Sequence, residues 1–216
     1  MYDYFVELKP KLFPLGILPV FCPQNEAELD TFINALLPTP VRVIEITLRN
    51  DLAYRAIERI KTVDPDFTVG AGTVMTKESL CSAKAHGADF LVSPGYRTPL
   101  LTLAKEENIP FLPGCTTPSE IQTAFFQGYR TLKYFPAACA GGVASLSLYK
   151  GAFADVCFIP TGGIHLNNLE SYLQLPNVVA CGGSYMLPKT MLERSDSDGI
   201  TQTILSCLTH RKGETL

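Results

Sequence analysis

Eight short runs rich in β-branched and aromatic residues alternate with longer amphipathic stretches along this chain of 216 residues. Such runs are typical of strands, and the stretches between them are long enough to form helices. The predicted strands span residues 17–21, 41–47, 67–71, 89–92, 110–112, 131–135, 156–160 and 178–181. The predicted helices lie near residues 25–37, 51–62, 76–86, 98–107, 117–127, 142–150, 166–173 and 189–210.

This regular alternation predicts repeated βα units with parallel strands. Eight such units in residues 1–216 predict one domain, a closed (β/α)₈ TIM barrel, and an open doubly wound sheet is the alternative. The first 14 residues, which contain Pro10 and Pro14, are expected to form a short leading helix or lid outside the barrel.

Small or helix-breaking residues follow nearly every predicted strand. They are Gly70-Ala71-Gly72, Ser93-Pro94-Gly95, Pro113-Gly114, Pro136-Ala137, Gly162-Gly163 and Gly182-Gly183. Loops at the carboxyl ends of barrel strands form the active face, and glycine lets backbone amides approach a ligand closely. We therefore expect the functional site at this end.

Composition and charge exclude several classes of protein. With 46% apolar and 18% charged residues, the chain has the composition of a globular domain. The net charge is −3, and the only basic cluster, His210-Arg211-Lys212, is expected to be a solvated helix end. The chain therefore lacks the basic patch that a nucleic-acid-binding protein needs.

The cysteines and the apolar runs indicate where the chain acts. Seven cysteines are scattered without a C-x-x-C pair, which favours free thiols over disulfides or a zinc site. No signal peptide and no membrane-spanning run is predicted. We expect a cytoplasmic protein with no membrane partner.

Lys133 is the most informative single residue. It lies in a strand-like run, where period-two alternation places Thr131, Lys133 and Phe135 on one face. If this face lines a barrel interior, Lys133 is buried, and burial favours the neutral amine that attacks a ketone to form a Schiff base. The alternative is an edge-strand lysine that faces water.

Glu45 and Arg49 lie at the end of the second predicted strand. Alternation places Glu45 on the interior face, where a carboxylate can act as general acid and base. Arg49, in the following loop, can bind a substrate carboxylate through two parallel hydrogen bonds. The alternatives are a structural ion pair, with Arg49 as the suggested partner of Glu45, and an ordinary surface arginine.

Two glycine pairs suggest a phosphate site. Thr161-Gly162-Gly163 follows the seventh predicted strand, and Gly182-Gly183-Ser184 follows the eighth. Barrels frequently bind phosphate with the loops after these two strands. Each pair taken alone is equally consistent with a tight turn.

No metal site or nucleotide motif is predicted. The three histidines, His86, His165 and His210, lack the spacing of metal ligands, and His165 is expected at the surface where a helix starts. Neither G-x-G-x-x-G nor a P-loop occurs. We expect no metal and no cofactor.

Several motifs occur in the same order as in a known family. They are Glu-Ile-Thr-Leu-Arg at 45–49, Gly-Ala-Gly-Thr-Val at 70–74, Ser-Pro-Gly at 93–95, Pro-Gly-Cys-Thr-Thr at 113–117, Leu-Lys-Tyr-Phe-Pro-Ala at 132–137, Gly-Gly-Val at 141–143, Pro-Thr-Gly-Gly-Ile at 160–164 and Cys-Gly-Gly-Ser at 181–184. From about Leu18 to Leu192 the chain resembles the class I 2-keto-3-deoxy-6-phosphogluconate (KDPG) and 4-hydroxy-2-oxoglutarate (KHG) aldolases. These are trimeric enzymes without a metal or organic cofactor.

The resemblance implies a role for each matching position. Lys133 corresponds to the Schiff-base lysine and Glu45 to the proton shuttle. The residues that correspond to the pyruvate and substrate pocket are Arg49, Thr73, Pro94, Phe135 and Thr161. Those that correspond to the phosphate site are Gly162, Gly163, Gly183 and Ser184. The implied reaction cleaves KDPG to pyruvate and glyceraldehyde 3-phosphate, with KHG as a further substrate.

The chain departs from the family pattern in three places. Ala138 stands where many relatives carry glutamate, Tyr185 replaces the usual tryptophan, and Pro38 and Pro40 replace glycines. None of these positions touches the implied Schiff base, but Ala138 lies near the phosphate end and bears on substrate preference.

Other functions remain open on the sequence alone. They are an aldolase for the galactonate-derived epimer or for an unphosphorylated keto acid, an isomerase or epimerase on a phosphate-binding barrel, and a silent binder of sugar-acid phosphates. Only the aldolases require an imine on Lys133.

Overall fold

The computed structural model describes residues 8–12 and 14–208 and alternates strands with helices. The strands are β1 (Ile17–Phe21), β2 (Val43–Thr47), β3 (Thr68–Gly72), β4 (Phe90–Val92), β5 (Phe111–Leu112), β6 (Thr131–Tyr134), β7 (Cys157–Pro160) and β8 (Cys181–Gly183). The helices are α1 (Lys9–Leu12), α2 (Glu26–Leu36), α3 (Leu52–Val63), α4 (Lys77–Ala85), α5 (Thr98–Glu106), α6 (Pro118–Phe126), α7 (Gly142–Ala152), α8 (Leu166–Leu173), α9 (Lys189–Glu193) and α10 (Ser197–Leu208).

All strand pairs among the described residues are parallel. Six strands form one sheet in the order β5-β4-β3-β2-β1-β8, and β6 pairs with β7. Single parallel bridges join Gly114 to Lys133 on one side of the β6-β7 pair and Thr161 to Gly182 on the other. The protein therefore has an α/β fold with parallel strands in a curled sheet.

Several predicted strand boundaries are wrong by one to three residues, and two of these errors involve glycines that were expected in loops. The eighth strand was expected at 178–181, but pairing with β1 begins at Cys181, whose N–H donates to the carbonyl of Gly16. Gly182 and Gly183 therefore lie within β8 and do not follow it. In the same way, Gly72 belongs to β3, whose predicted end was Ala71, and not to the loop after it.

The predicted last helix, 189–210, is also wrong because it is divided into α9 and α10. Ser195 adopts a φ of 54°, a left-handed conformation that ends α9. The side chain of Asp196 then accepts a hydrogen bond from the N–H of Gly199 and starts α10. Residues 209 and 210, and the basic cluster at 210–212, lie outside the described residues.

A cluster of buried side chains covers the concave face of the curled sheet, on the side opposite most helices. Its members are Leu8, Leu12, Leu18, Val43, Phe90, Val92, Leu112, Ile159, Val179 and Ala180. Leu12 comes from α1, and Lys11 beside it donates to Oγ1 of Thr68, the first residue of β3. The leading helix therefore packs at the amino end of the strands, and it leaves the carboxyl end open.

Leu12→Ala is expected to destabilise the fold because Leu12 is 0% exposed in this interior cluster. Truncating a buried leucine creates a cavity and costs about 2–5 kcal/mol in the free energy of unfolding. The matched control is Val63→Ala at an exposed helix end (47% exposed), which should change it by less than about 0.5 kcal/mol. Urea denaturation of both variants measures the difference, and equal effects would contradict the interior position of α1.

Candidate active site

A buried ion pair links the carboxyl-terminal halves of β2 and β6. Nζ of Lys133 lies 3.0 Å from Oε1 and 3.3 Å from Oε2 of Glu45. Lys133 is 6% exposed and Glu45 is 0% exposed. Lys133 is therefore not a water-facing lysine, and the ion-pair partner of Glu45 is Lys133 and not Arg49.

Burying these two charges is costly unless they stay together. Their separation also lies within the range for direct proton transfer between a base and an acid. An amine that can become nucleophilic therefore lies in contact with a carboxylate that can hold its proton. This pairing suits covalent attack on a carbonyl carbon.

Two inward-facing glycines of β3 make room for this arrangement. A Cβ atom at Gly72 would lie 2.8 Å from Cδ and Cγ of Glu45 and closer still to a carboxylate oxygen. A Cβ at Gly70 would similarly meet the ring of Phe90. Sequence reasoning missed this role, although period-two alternation from Thr68 places both glycines on the interior face.

A cavity of about 340 Å³ opens beside the pair. The predicted site residues that line it are Arg49, Phe135, Thr161, Gly162, Gly163, Gly183 and Ser184. Nζ of Lys133 lies 5.5 Å from the ring centroid of Phe135, which connects the ion pair to the cavity wall. Among the described lining residues, Arg49 alone carries a positive charge.

Sequence reasoning missed several residues of the wall. They are Val20, Phe21, Cys22, Thr47, Ile164 and Tyr185. Val20 and Cys22 could have been found, because they alternate with the interior residue Leu18 along β1.

The two glycine pairs differ in backbone conformation and in position. Gly162 and Gly163 have φ angles of 90° and 80°, a left-handed region that favours glycine. A Cβ at Gly163 would overlap the side chain of Ala138, so Ala138 lies at this end of the cavity. Gly182 lies in β8, where a Cβ would overlap Oγ1 of Thr161.

Helix α8 begins just after the first glycine pair. His165 is its exposed N-cap residue, and Asn168 accepts from the His165 N–H and donates to the carbonyl of Gly163. Ile164 lines the cavity, so the amino end of α8 lies close to it. Helix amino ends favour anions.

Thr73 and Pro94 are the two predicted site residues that do not line the cavity, apart from the buried pair itself. Thr73 follows β3 with a φ of 65°, an unusual conformation for a β-branched residue. The carbonyl of Pro94 lies so close to Gly114 that a Cβ there would overlap it. Both residues lie at strand ends on the same face as the cavity.

Two other ionisable groups near the site remain neutral. Burial, followed by the charge of Glu120, raises the pKa of the Cys115 thiol, and the Cys115 N–H donates to the carbonyl of Lys133. Burial also raises the pKa of Tyr185, whose hydroxyl donates to the carbonyl of Cys181. Neither group supplies a nucleophile or base at neutral pH.

The part of the chain that the structure describes shows neither a metal-binding cluster nor a membrane-spanning helix. No group of three or more His, Cys, Asp or Glu side chains between residues 8 and 208, residue 13 aside, comes together in a way that could hold a metal ion. None of the helices described here is long and apolar enough to cross a membrane.

The chain is similar to characterised proteins over most of its length. It is 42% identical over 180 residues to the 2-dehydro-3-deoxy-phosphogluconate aldolase of Pseudomonas aeruginosa, covering 83% of this chain and 82% of that protein. It is 40% identical over 186 residues to the KHG/KDPG aldolase of Escherichia coli K12, covering 86% and 87%.

Solved structures agree with these sequence matches. The KDPG aldolase of Legionella pneumophila, whose crystal structure holds pyruvate as a covalent carbinolamine intermediate, superposes with a TM-score of 0.88. It is 35% identical and covers 92% of this chain and 97% of its own. The sequence profile described as "Aldolase: KDPG and KHG aldolase" matches residues 9–203. The chain therefore belongs to the KDPG and KHG aldolase family.

Proposed function

We propose that this protein is a class I aldolase that cleaves KDPG to pyruvate and glyceraldehyde 3-phosphate through a Schiff base on Lys133. The observation that carries the proposal is the buried contact of 3.0 Å between Lys133 of β6 and Glu45 of β2. The names of the relatives and the covalent pyruvate adduct in the Legionella enzyme support the same chemistry. The proposed reaction uses no metal and no cofactor.

The reaction begins with proton transfer from the Lys133 ammonium to Glu45. The neutral amine adds to the C2 ketone, and Glu45 returns the proton as the carbinolamine hydroxyl leaves as water. The resulting protonated imine is an electron sink. Glu45 then removes the C4 hydroxyl proton, the C3–C4 bond breaks, and glyceraldehyde 3-phosphate leaves.

The remaining product is an enamine on Lys133. Protonation at C3 by Glu45 regenerates a protonated imine, and the addition of one water releases pyruvate and returns Lys133 to its ammonium form. The water consumed here balances the water lost during imine formation. One carboxylate therefore serves every proton transfer, which its contact with Lys133 makes feasible.

Substrate binding divides between the two ends of the cavity. We assign Arg49 to the pyruvate carboxylate, where a guanidinium can form two parallel hydrogen bonds. Phe135 and Thr161 line this end of the cavity, and Thr73 and Pro94 are assigned to the same pocket from strand ends on the same face. The phosphate is assigned to the opposite side, at Gly162, Gly163, Gly183 and Ser184, beside the amino end of α8.

KHG is a second candidate substrate, because the Escherichia coli relative is named a KHG/KDPG aldolase. It carries the same keto-acid end and would form the same imine. Its cleavage gives pyruvate and glyoxylate and leaves the phosphate site empty. Comparing kcat/KM for KDPG and KHG measures how much the proposed phosphate site contributes to catalytic efficiency.

Borohydride trapping tests the proposal directly. Pyruvate and sodium borohydride should produce a stable adduct that intact mass and peptide mapping assign to Lys133, and borohydride without pyruvate should not. A lactate-dehydrogenase-coupled assay with KDPG, its galactonate-derived epimer and the unphosphorylated keto acid then identifies the substrate. No adduct on folded protein would leave a silent phosphate binder or an isomerase.

The architecture and assembly are part of the proposal. We infer that all eight strands close into one barrel over a single domain, because β1 pairs with both β2 and β8 and single bridges join the β6-β7 pair to its neighbours. We also propose a cytoplasmic homotrimer, following the family resemblance. Light scattering should then give three times the chain mass of 23.6 kDa, and a monomer mass would contradict the trimer.

Gly72→Ala is expected to lower kcat by about 10²-fold, because a shift of about 1 Å in a catalytic group has that scale of effect. The new methyl group would displace the carboxylate of Glu45 from Lys133. Gly70→Ala is the matched control, since its methyl group meets Phe90 instead. It should lower the melting temperature and leave kcat of the folded protein nearly unchanged. Equal losses of kcat in both variants would count against a specific role for Gly72.

A further inference from the structure

The loops after β1 and β2 are joined by the side chain of one residue, Asn50. Its Nδ2 donates a hydrogen bond of 2.8 Å to the carbonyl of Pro23 in the loop after β1. The same nitrogen lies 3.9 Å from Sγ of Cys22. Its Oδ1 accepts a hydrogen bond of 3.1 Å from the N–H of Ala53 in the first turn of α3.

The residues next to these bonds line the cavity. Arg49 immediately precedes Asn50, and Cys22 immediately precedes Pro23. Arg49 is exposed, so the packing of neighbours does not fix its side chain in the way that burial fixes Lys133 and Glu45. The position of the Arg49 backbone therefore limits where its guanidinium group can lie in the cavity.

We infer that Asn50 is a positioning residue for Arg49. Its hydrogen bond to Pro23 links the loop after β2 to the loop after β1 and so holds Arg49 at the cavity rim. This inference rests on the proposed function, in which Arg49 binds the carboxylate of the keto acid. It assigns Asn50 no contact with substrate. Asn50 should therefore affect pyruvate binding more than the chemical steps on Lys133.

The two hydrogen bonds of Asn50 perform different tasks and can be separated. The Oδ1 contact with Ala53 is the bond that an N-cap side chain makes, and serine can make it too. The Nδ2 contact with Pro23 needs the longer amide. Asn50→Ser should therefore retain the cap and lose the link between the loops, whereas Asn50→Ala loses both.

Asn25 offers a matched control for loss of a cap. Its side chain accepts from the N–H of Glu28 at 2.9 Å and caps α2 in the adjacent unit. Asn25→Ala should lower the melting temperature without changing pyruvate binding.

The experiment measures the pyruvate concentration that half-saturates borohydride trapping, together with KM and kcat for KDPG and the melting temperature. Asn50→Ser and Asn50→Ala should each raise the half-saturating concentration and KM by about tenfold, the upper range for one lost hydrogen bond. Values of kcat should stay within about threefold, since the reacting groups are untouched. Asn50→Ser should melt close to the unchanged protein.

A double-mutant cycle identifies the residue through which Asn50 acts. If it acts through Arg49, adding Asn50→Ser to Arg49→Ala should raise KM no further. The inference is overturned if Asn50→Ser leaves KM unchanged, or if its effect is equally large without Arg49. A wild-type chain that forms no pyruvate adduct would refute the proposed function first, and this inference with it.

Discussion

Lys133→Met is expected to abolish cleavage of KDPG, lowering kcat by at least about 10⁴-fold, the scale seen when a covalent nucleophile is removed. Methionine has a similar length and can occupy the buried space, but its thioether cannot form an imine. The borohydride-trapped pyruvate adduct should disappear as well. Circular dichroism and the assay with KDPG, run on the same sample, measure fold and activity together.

Lys150→Met, on the exposed surface of α7, is the control for Lys133→Met. It should keep both the adduct and the activity. If Lys133→Met retained either one, the nucleophile would have to be another group. A variant that lost its fold would instead indicate that Glu45 cannot be buried without its partner.

Glu45→Gln is expected to lower kcat by about 10²- to 10⁴-fold, the usual range for loss of a general acid–base group. Glutamine keeps the size of the side chain and can still contact Lys133, but it cannot accept a proton. Exchange of the pyruvate methyl protons with deuterium, followed by NMR, should slow in parallel. This exchange passes through the enamine, which the same carboxylate is proposed to protonate.

Formation of the borohydride-trapped adduct distinguishes the proposed covalent role of Lys133 from the proposed proton-transfer role of Glu45. Glu45→Gln should still form it at saturating pyruvate, although more slowly, because Lys133 remains. The exposed Glu58 of α3 provides the control, and Glu58→Gln should match the unchanged protein in both assays. Methyl exchange at the normal rate in Glu45→Gln would mean that another base moves the proton.

Much of the candidate site could be predicted because successive side chains of a strand alternate between its two faces. Alternation alone places Lys133 and Glu45 on the interior faces of their strands, and the order of βα units brings both strand ends to one face. The predicted strand positions overlap all eight observed strands. The geometry of the pair, including the 3.0 Å contact, needs the tertiary structure because the two residues are 88 positions apart.

The errors in the predicted boundaries arose where tertiary contacts or a single backbone conformation decide the structure, because the local sequence does not indicate either. Glycine is typical of loops, yet Gly72 pairs with Thr47 in β3, where the carboxylate of Glu45 occupies the space that a side chain would need. The break between α9 and α10 depends on one left-handed residue, Ser195, with no glycine or proline to mark it. Strand β8 begins where pairing with β1 becomes available, which the strand's own sequence does not encode.

Asn50 also escaped prediction, because its importance depends on the loop after β1 lying next to it. A single asparagine before a helix indicates a cap and nothing more. Its contacts with Pro23 and Cys22 in the loop after β1 distinguish it from Asn25.

The apolar cluster inside the strands shares no residue with the cavity wall. One set of side chains therefore carries the interior packing, and another forms the wall of the proposed substrate cavity. Effects of substitutions at sites without shared partners tend to add. A stabilised variant built by repacking around Leu12 and Phe90 could thus tolerate destabilising changes at Arg49 or Ser184. The same framework could in this way evolve, or be engineered, toward other aldehydes while keeping its imine chemistry.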